Sequence, residues 1–248
     1  MSPEKSYRYF SGYNNIFTFA VFLLYSLQLL FMIDLHTHSI LSDGELIPAE
    51  LIRRAAAAGY EAIAITDHMD QSNIDFIIPR VIKAVKAIQP HAPLTIIPGA
   101  EITHVPPPLI PALVKEARNL GAKIVVVHGE TIVEPVIAGT NRAAIEAGAD
   151  ILAHPGIISY DDLQFARERA VTLEISARKG HSLANGYVAK WALKLGIPVV
   201  VNTDAHAPSD LISRDTAMMI LLAAGYDDST LEKAFQHSRY LVEKAIRG

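Results

Sequence analysis

The feature that most limits the fold of this chain is a step repeated four times, in which a helix-like stretch ends at glycine and an apolar run follows at once. It occurs at Ala58-Gly59-Tyr60, Leu120-Gly121-Ala122, Ala147-Gly148-Ala149 and Leu195-Gly196-Ile197. Helices and short β-branched runs that alternate in this way signal parallel βαβ units. The candidate strands are 32–36, 61–66, 94–99, 123–127, 150–154, 171–175 and 197–203. Helices are expected from Pro48 to Ala58 and from Pro111 to Leu120, with proline at the start and glycine past the end. Runs such as Ile124-Val125-Val126-Val127 and Val199-Val200-Val201 need cover on both faces. The expected fold is α/β, a (β/α)7 TIM-like barrel of parallel strands, with an open doubly wound sheet as the alternative. Residues 228–248 read as a closing helical tail.

At 248 residues, half of them hydrophobic, the chain is long enough for one barrel domain over 32–248. Residues 1–31 are set apart, because Ile16 to Ile33 is nearly all apolar, follows Lys5 and Arg8, and reaches the lower limit for a membrane span. This run enters Asp34-Leu35-His36-Thr37-His38 with no linker and no small-residue cleavage site. The favoured expectation is therefore a natural start at Met32, an upstream start-site artefact and a cytoplasmic protein. A membrane anchor through residues 16–33 is the alternative. A net charge of -4 gives no reason to expect a nucleic-acid partner. The absence of cysteine excludes disulfides, thiolate metal sites and cysteine nucleophiles.

Polar residues with metal-binding chemistry collect where the strands end. The first strand leads into His36 and His38, the second into Asp67 and His68, the third into Glu101, the fourth into His128, the fifth into His154 and the seventh into Asp204 and His206. In β/α barrels the C-terminal strand ends build the active site. Residues two apart on a strand share a face, so His36 and His38 can converge on one ion, and Asp204 and His206 form a second pair. Barrel closure makes these pairs neighbours. Glu101, His128 and His154 arrive from strands three to five, and a carboxylate can bridge two cations where an imidazole cannot. Asp43, on the loop after the first strand, can join His68 and His206 around a third ion. Nitrogen and oxygen donors of this kind suit two or three divalent ions such as zinc, manganese or iron.

Each residue alone has a plainer explanation. A His-x-His pair arises by chance, His154 before Pro155 fits a hydrogen-bonded core histidine, Glu101 fits a solvated loop, and Asp204 fits a helix N-cap. The joint pattern does not yield to these, because burying so many polar groups without a cation is costly.

The segments Asp34-Leu35-His36-Thr37-His38-Ser39 with Ser42-Asp43-Gly44, Ile65-Thr66-Asp67-His68, Pro98-Gly99-Ala100-Glu101-Ile102, Ala153-His154-Pro155 and Asn202-Thr203-Asp204-Ala205-His206 form a series. It resembles the motif series of the PHP family, the polymerase and histidinol phosphatase superfamily, from Met32 to about residue 215. The resemblance implies a seven-stranded distorted barrel with a trinuclear centre. One ion would take His36, His38, Glu101 and Asp204, a second Glu101, His128 and His154, and a third Asp43, His68 and His206. The stretch from His128 to Ile157 is also similar to histidinol-phosphatase-related chains and to the PHP-like subunit of ribonuclease P, which lacks much of the metal set.

The expected activity is hydrolysis of a small phosphomonoester, histidinol phosphate or a similar metabolite, by a metal-bridging hydroxide, with Glu101, Asp204 and His206 as catalytic residues. Three divalent ions set against the carboxylates of Asp43, Glu101 and Asp204 leave a positive surplus that a phosphate dianion and a hydroxide would cancel. Arg178 and His181, after the sixth strand, are the candidate substrate-binding residues, the plainer reading being that Arg178 and Lys179 are solvated. Asp67 is expected to orient a ligand histidine. The connection from Gly129 to Thr140, with Glu130 and Glu134, is placed to cover the site, and His104 to shape its rim. His91 and His237 read as surface residues. Alternatives are a phosphodiesterase or nuclease acting on nucleotides, and a non-catalytic module binding RNA or protein. An amidohydrolase would need a lysine at a strand end, and none is so placed.

Overall fold

The structure, a computed structural model, describes residues 32–247. The expectations for residues 1–31 lie outside the described residues. Met32 and Ile33, the end of the apolar run, begin the first strand. Among the described residues no helix is long and apolar enough to cross a membrane.

Eight strands are present among the described residues: β1 (Met32–Asp34), β2 (Tyr60–Ile65), β3 (His68–Met69), β4 (Thr95–Ile102), β5 (Ile124–His128), β6 (Ile151–Ala153), β7 (Thr172–Ser176) and β8 (Val199–Asn202). All pair in parallel in the order β1-β2-β4-β5-β6-β7-β8, with β3 on β4. The first and last strands meet through one bridge, Thr37 to Ala205, so seven strands form a nearly closed, distorted barrel. Side chains close the rest of this seam. Asn202 Oδ1 accepts from Leu35 N at 3.0 Å, and the Asp34 carboxylate accepts from both the backbone and the hydroxyl of Thr203.

The helices α1 (Pro48–Ala57), α2 (Ile74–Ile88), α3 (Ile110–Leu120), α4 (Thr140–Glu146), α5 (Tyr160–Arg169), α6 (Asn185–Leu195), α7 (Arg214–Ala224) and α8 (Asp228–Arg247) surround the strands. In α3 the buried residues are Ile110, Leu113, Val114 and Ala117. This i, i+3, i+4, i+7 spacing gives one apolar stripe, and each large side chain in it contributes roughly 1.5–3 kcal/mol on burial. The tail helix α8 has a barrel role, because Leu241, Val242 and Ala245 join Ile33, Ala62, Ile97 and Val200 in the interior cluster and close the end opposite the strand C-termini.

Inside the barrel the alternation of side chains carries the change from core to chemistry. Along β5 the inward positions run Ile124, Val126, His128, and from β8 onward Val200, Asn202, Asp204, His206. Strand β4, the third of the expected strands, is longer than its apolar run implies. It continues through Pro98 and Gly99 to Ile102, pairing Glu101 with Val126 on one side and with His68 on the other. Gly99 permits this close approach, since a Cβ there would lie 2.6 Å from Thr66 Cγ2. Glu101 is therefore a buried strand residue, not a loop residue.

Candidate metal centre

The nine expected ligands all arrive at the C-terminal mouth. His36 Nε2 lies 3.3 Å from Glu101 Oε1 and 3.6 Å from Asp204 Oδ1, while His38 Nε2 lies 3.0 Å from Asp204 Oδ1 and 3.7 Å from Glu101 Oε2. Next to them, His154 Nε2 is 4.0 Å from Glu101 Oε1, and the His128 and His154 rings meet edge to face at 4.4 Å. On the other side Asp43 Oδ1 lies 3.4 Å from His68 Nε2 and 3.2 Å from His206 Nε2. Glu101 reaches all three groups, because its Oε2 also contacts His68 Nδ1.

The ring tautomers follow from what each Nδ1 touches. Carbonyl and carboxylate oxygens only accept, so Nδ1 of His36 donates to Glu174 at 2.8 Å and Nδ1 of His128 to Gly129 O at 3.1 Å, whereas Nδ1 of His206 lies between an acceptor, Asp204 O at 2.9 Å, and a donor, Arg178 NH1 at 2.7 Å, and its tautomer is not fixed by them. His68 donates to Glu101 as His36 does to Glu174. In the neutral rings of His36, His68 and His128 the Nε2 lone pair is left facing the centre of the cluster, the arrangement a metal-ligating histidine requires.

These atoms fit bound cations on their own account. His36 Nε2, both ring nitrogens of His38 and His154, Glu101 Oε1 and Asp204 Oδ1 are buried with no hydrogen-bond partner. Leaving a single buried polar atom unpaired costs about 1–3 kcal/mol, so a cluster of them is tolerable only if something absent from the polypeptide satisfies them. His154 and Asp204 also adopt positive φ, 28° and 52°, a conformation disfavoured for residues with a Cβ. Divalent ions held here would take the Nε2 and carboxylate donors in the three groups described.

With protein groups alone, charge is shared unevenly. Burial raises the Asp204 carboxyl to about 7. Burial also disfavours the ionised form of Glu101, but the His36 and His68 rings outweigh it and hold that carboxylate well below its usual range. His38 and His154 are pushed far down by burial. For His68 burial is outweighed by Glu101 and Asp43, which lift it to about 10. Protons on some rings thus do the neutralising that cations would otherwise do.

Four residues sit differently from expectation. Asp67 does not orient a histidine; its carboxylate accepts from Ser39 N, Ser39 Oγ and Ser42 Oγ, and so fixes the loop that presents Asp43. Arg178 lies on the pocket wall with NH1 donating to Asp204 O at 2.9 Å, so its guanidinium braces the ligand-bearing segment, while Lys179 is exposed. His237 is half-buried, its Nε2 2.8 Å from Thr172 Oγ1. His181 is 4% exposed and stacks on His154 at 4.0 Å between ring centroids, inside the cluster rather than at its edge.

Glu174 is the functional residue that sequence reasoning missed. Its carboxylate is fully buried and holds His36 Nδ1 and Asn202 Nδ2, at 2.8 and 3.0 Å. The signal was a lone carboxylate in the strand Thr172-Leu173-Glu174-Ile175-Ser176, where an unneutralised charge is costly.

Asp43, His68, Asp70, Asn73, His104, Glu134 and Arg178 are among the residues lining the pocket over the cluster, which has a volume of about 360 Å³. With this geometry in view, sequence comparison gives the family and structural comparison the fold. The model of the PHP domain matches residues 34–181, and the chain belongs to the PHP domain family. An uncharacterized protein of Methanocaldococcus jannaschii is 47% identical over 206 residues, covering 82% of this chain and 94% of that protein. A 42-residue stretch is 50% identical to a 5'-3' exoribonuclease of Haemophilus influenzae, covering 17% of this chain and 15% of that enzyme. Among solved structures, a chain of archaeal ribonuclease P with mature tRNA has the same fold, with a TM-score of 0.66, 20% identity, and coverage of 86% of this chain and 91% of that one.

Proposed function

We propose that this protein is a metal-dependent phosphoesterase that hydrolyses a small phosphomonoester. The observation that carries the reading is the set of buried donor atoms without partners on His36, His38, Glu101, His154 and Asp204, gathered under one pocket. Divalent cations held together supply a nucleophilic water at neutral pH and neutralise charge building on a phosphoryl group. Hydrolysis forms one bond from water oxygen to phosphorus and breaks the ester P–O bond, with a proton passing to the departing alcohol.

The chain's own groups set the stage for this. Glu101 touches all three ligand groups and fixes their spacing. Asp204, supported by Arg178, joins the first-strand histidines to the last-strand segment. His206 and Asp43 present donors on the open side of the pocket, beside Arg178, which is the cationic side chain available to a phosphate oxygen there. The pocket volume suits a small molecule. Asp43, Asp70 and Glu134 on its wall disfavour a long polyanion. The stretch similar to an exoribonuclease favours, as second reading, a nucleotide bearing a phosphate end.

The test is metal analysis of the purified protein together with turnover of p-nitrophenyl phosphate, bis-p-nitrophenyl phosphate and a 5'-phosphorylated oligonucleotide. At least two tightly held ions per chain and fastest release from the monoester are expected. Fewer than two ions would sink the multinuclear centre, and preference for the diester would move the substrate class.

A further inference from the structure

The mouth holds more donors than the three groups use. His181, stacked on His154, places Nε2 3.7 Å from Asp204 Oδ2 and 3.4 Å from Glu134 Oε1, while its Nδ1 pairs with Thr131 Oγ1 at 2.7 Å. Glu134 Oε2 lies 3.1 Å from His128 Nε2 and 3.2 Å from His104 Nε2. Because His128 Nδ1 donates to Gly129 O, the neutral ring turns a lone pair toward the Glu134 oxygen. Two acceptors 3.1 Å apart repel unless a proton or a cation lies between them. One ring nitrogen from each of His128, His154 and His181 lies within 4.8 Å of the other two.

The loop that carries Glu134 has a firm base and a loose tip. Glu130 accepts from Gly139 N and Asn141 N, both at 2.9 Å, and Asn141 Nδ2 donates to Pro155 O. Gly156 seals this base, since its φ is 62° and a Cβ there would lie 1.9 Å from Glu130 O. At the tip Ile132, Val133 and Ile137 are about half exposed, and Glu134 itself keeps 36% of its side-chain surface open, against 4% for both His128 and His181. A tip with so few buried contacts is displaced at low cost.

We propose that His181 and Glu134 are further ligands of the ion held by Glu101, His128 and His154, with His181 a fixed donor and Glu134 an exchangeable one that leaves when a phosphoryl group enters. This rests on the metal-centre reading above. Charge agrees with exchange. Counting Glu134 and Glu174 beside Asp43, Glu101 and Asp204 leaves three divalent ions with only a small positive surplus, and release of Glu134 restores attraction for a phosphate dianion.

The experiment uses the full chain stripped of metal, titrated with cobalt(II) while its visible absorption is followed, and then with inorganic phosphate on the loaded protein. Glu134→Gln, on an exposed loop tip, and His181→Ala are compared with the starting protein, with circular dichroism as the check on folding. Each variant is expected to weaken one cobalt-binding step by about tenfold or more and to change the cobalt band of that step, as loss of a ligand does. Glu134→Gln is also expected to bind inorganic phosphate about tenfold more tightly, because the competing carboxylate is gone. Cobalt affinities and bands unchanged in both variants would overturn the inference and leave Glu134 paired with a protonated His128, the centre itself standing. Failure of the unaltered protein to hold cobalt at all would overturn both the centre and this extension of it.

Discussion

Two ends of one barrel bury carboxylates in opposite ways. At the lower end Asp150 is 5% exposed and fully answered: Val125 N and Arg118 NH2 reach Oδ2 at 2.9 and 3.0 Å, and Lys244 Nζ reaches Oδ1 at 2.9 Å. At the mouth Glu101 and Asp204 are as deeply buried, yet each keeps one oxygen without a hydrogen-bond partner. The difference separates stability from function. The lower end neutralises its charge with its own cations, while the mouth keeps donor atoms unpartnered by the polypeptide, which is what bound ions would require.

Removing divalent ions by chelation is the strongest way to break this comparison. A ligand present at a thousand times its dissociation constant adds about 4 kcal/mol of stability, so chelation is expected to lower Tm markedly in calorimetry; an unchanged Tm would remove the distinction. Next in size, Glu101→Gln is expected to reduce turnover by about a thousandfold, equivalent to about 4 kcal/mol. In chelated protein the same variant is expected to melt below the starting protein, because the His36 and His68 rings lose the carboxylate that pairs with them. Asp150→Ala is expected to cost about 2 kcal/mol in urea unfolding, by stranding the Val125 N–H, with the same loss whether or not ions are present. Glu174→Gln keeps the fold but removes the charge behind His36, and a tenfold loss of cation affinity, about 1.4 kcal/mol, is expected in isothermal titration. Lys244→Ala marks the floor of the series, below about 1 kcal/mol, because its side chain is 57% exposed.

The mouth half of this contrast was legible in the sequence, and the reason is periodicity; nothing local marked Asp150 and its partners Arg118 and Lys244. Glycine-terminated helices followed by β-branched runs specify parallel units, and each strand-end residue inherits its address from the strand before it. That is how His128, His154 and Asp204 could be placed together. Glu101 was given the correct address at the end of the third expected strand, but that strand was ended at residue 99, because Pro98-Gly99 resembles a strand end while backbone pairing continues past it. Glu174 and the reach of Glu134 were not legible for different reasons. Glu174 lies mid-strand, where no motif marks it, and the position of Glu134 depends on a loop whose conformation is set by Glu130, Asn141 and Gly156 rather than by any local pattern.

The seam between β1 and β8 has a consequence in terms of chain entropy. One backbone bridge and a few side-chain hydrogen bonds join these strands, and the partners Asp34 and Thr203 are 169 residues apart in sequence. His36 and His38 stand on one side of that seam and Asp204 and His206 on the other. A cation shared across it would close a loop of about 170 of the 248 residues, much as a crosslink between distant residues does. The ions would then act as a clasp on the longest-range seam of the barrel, and amide exchange along Leu35–His38 and Thr203–His206 would be the gauge of whether the clasp is shut.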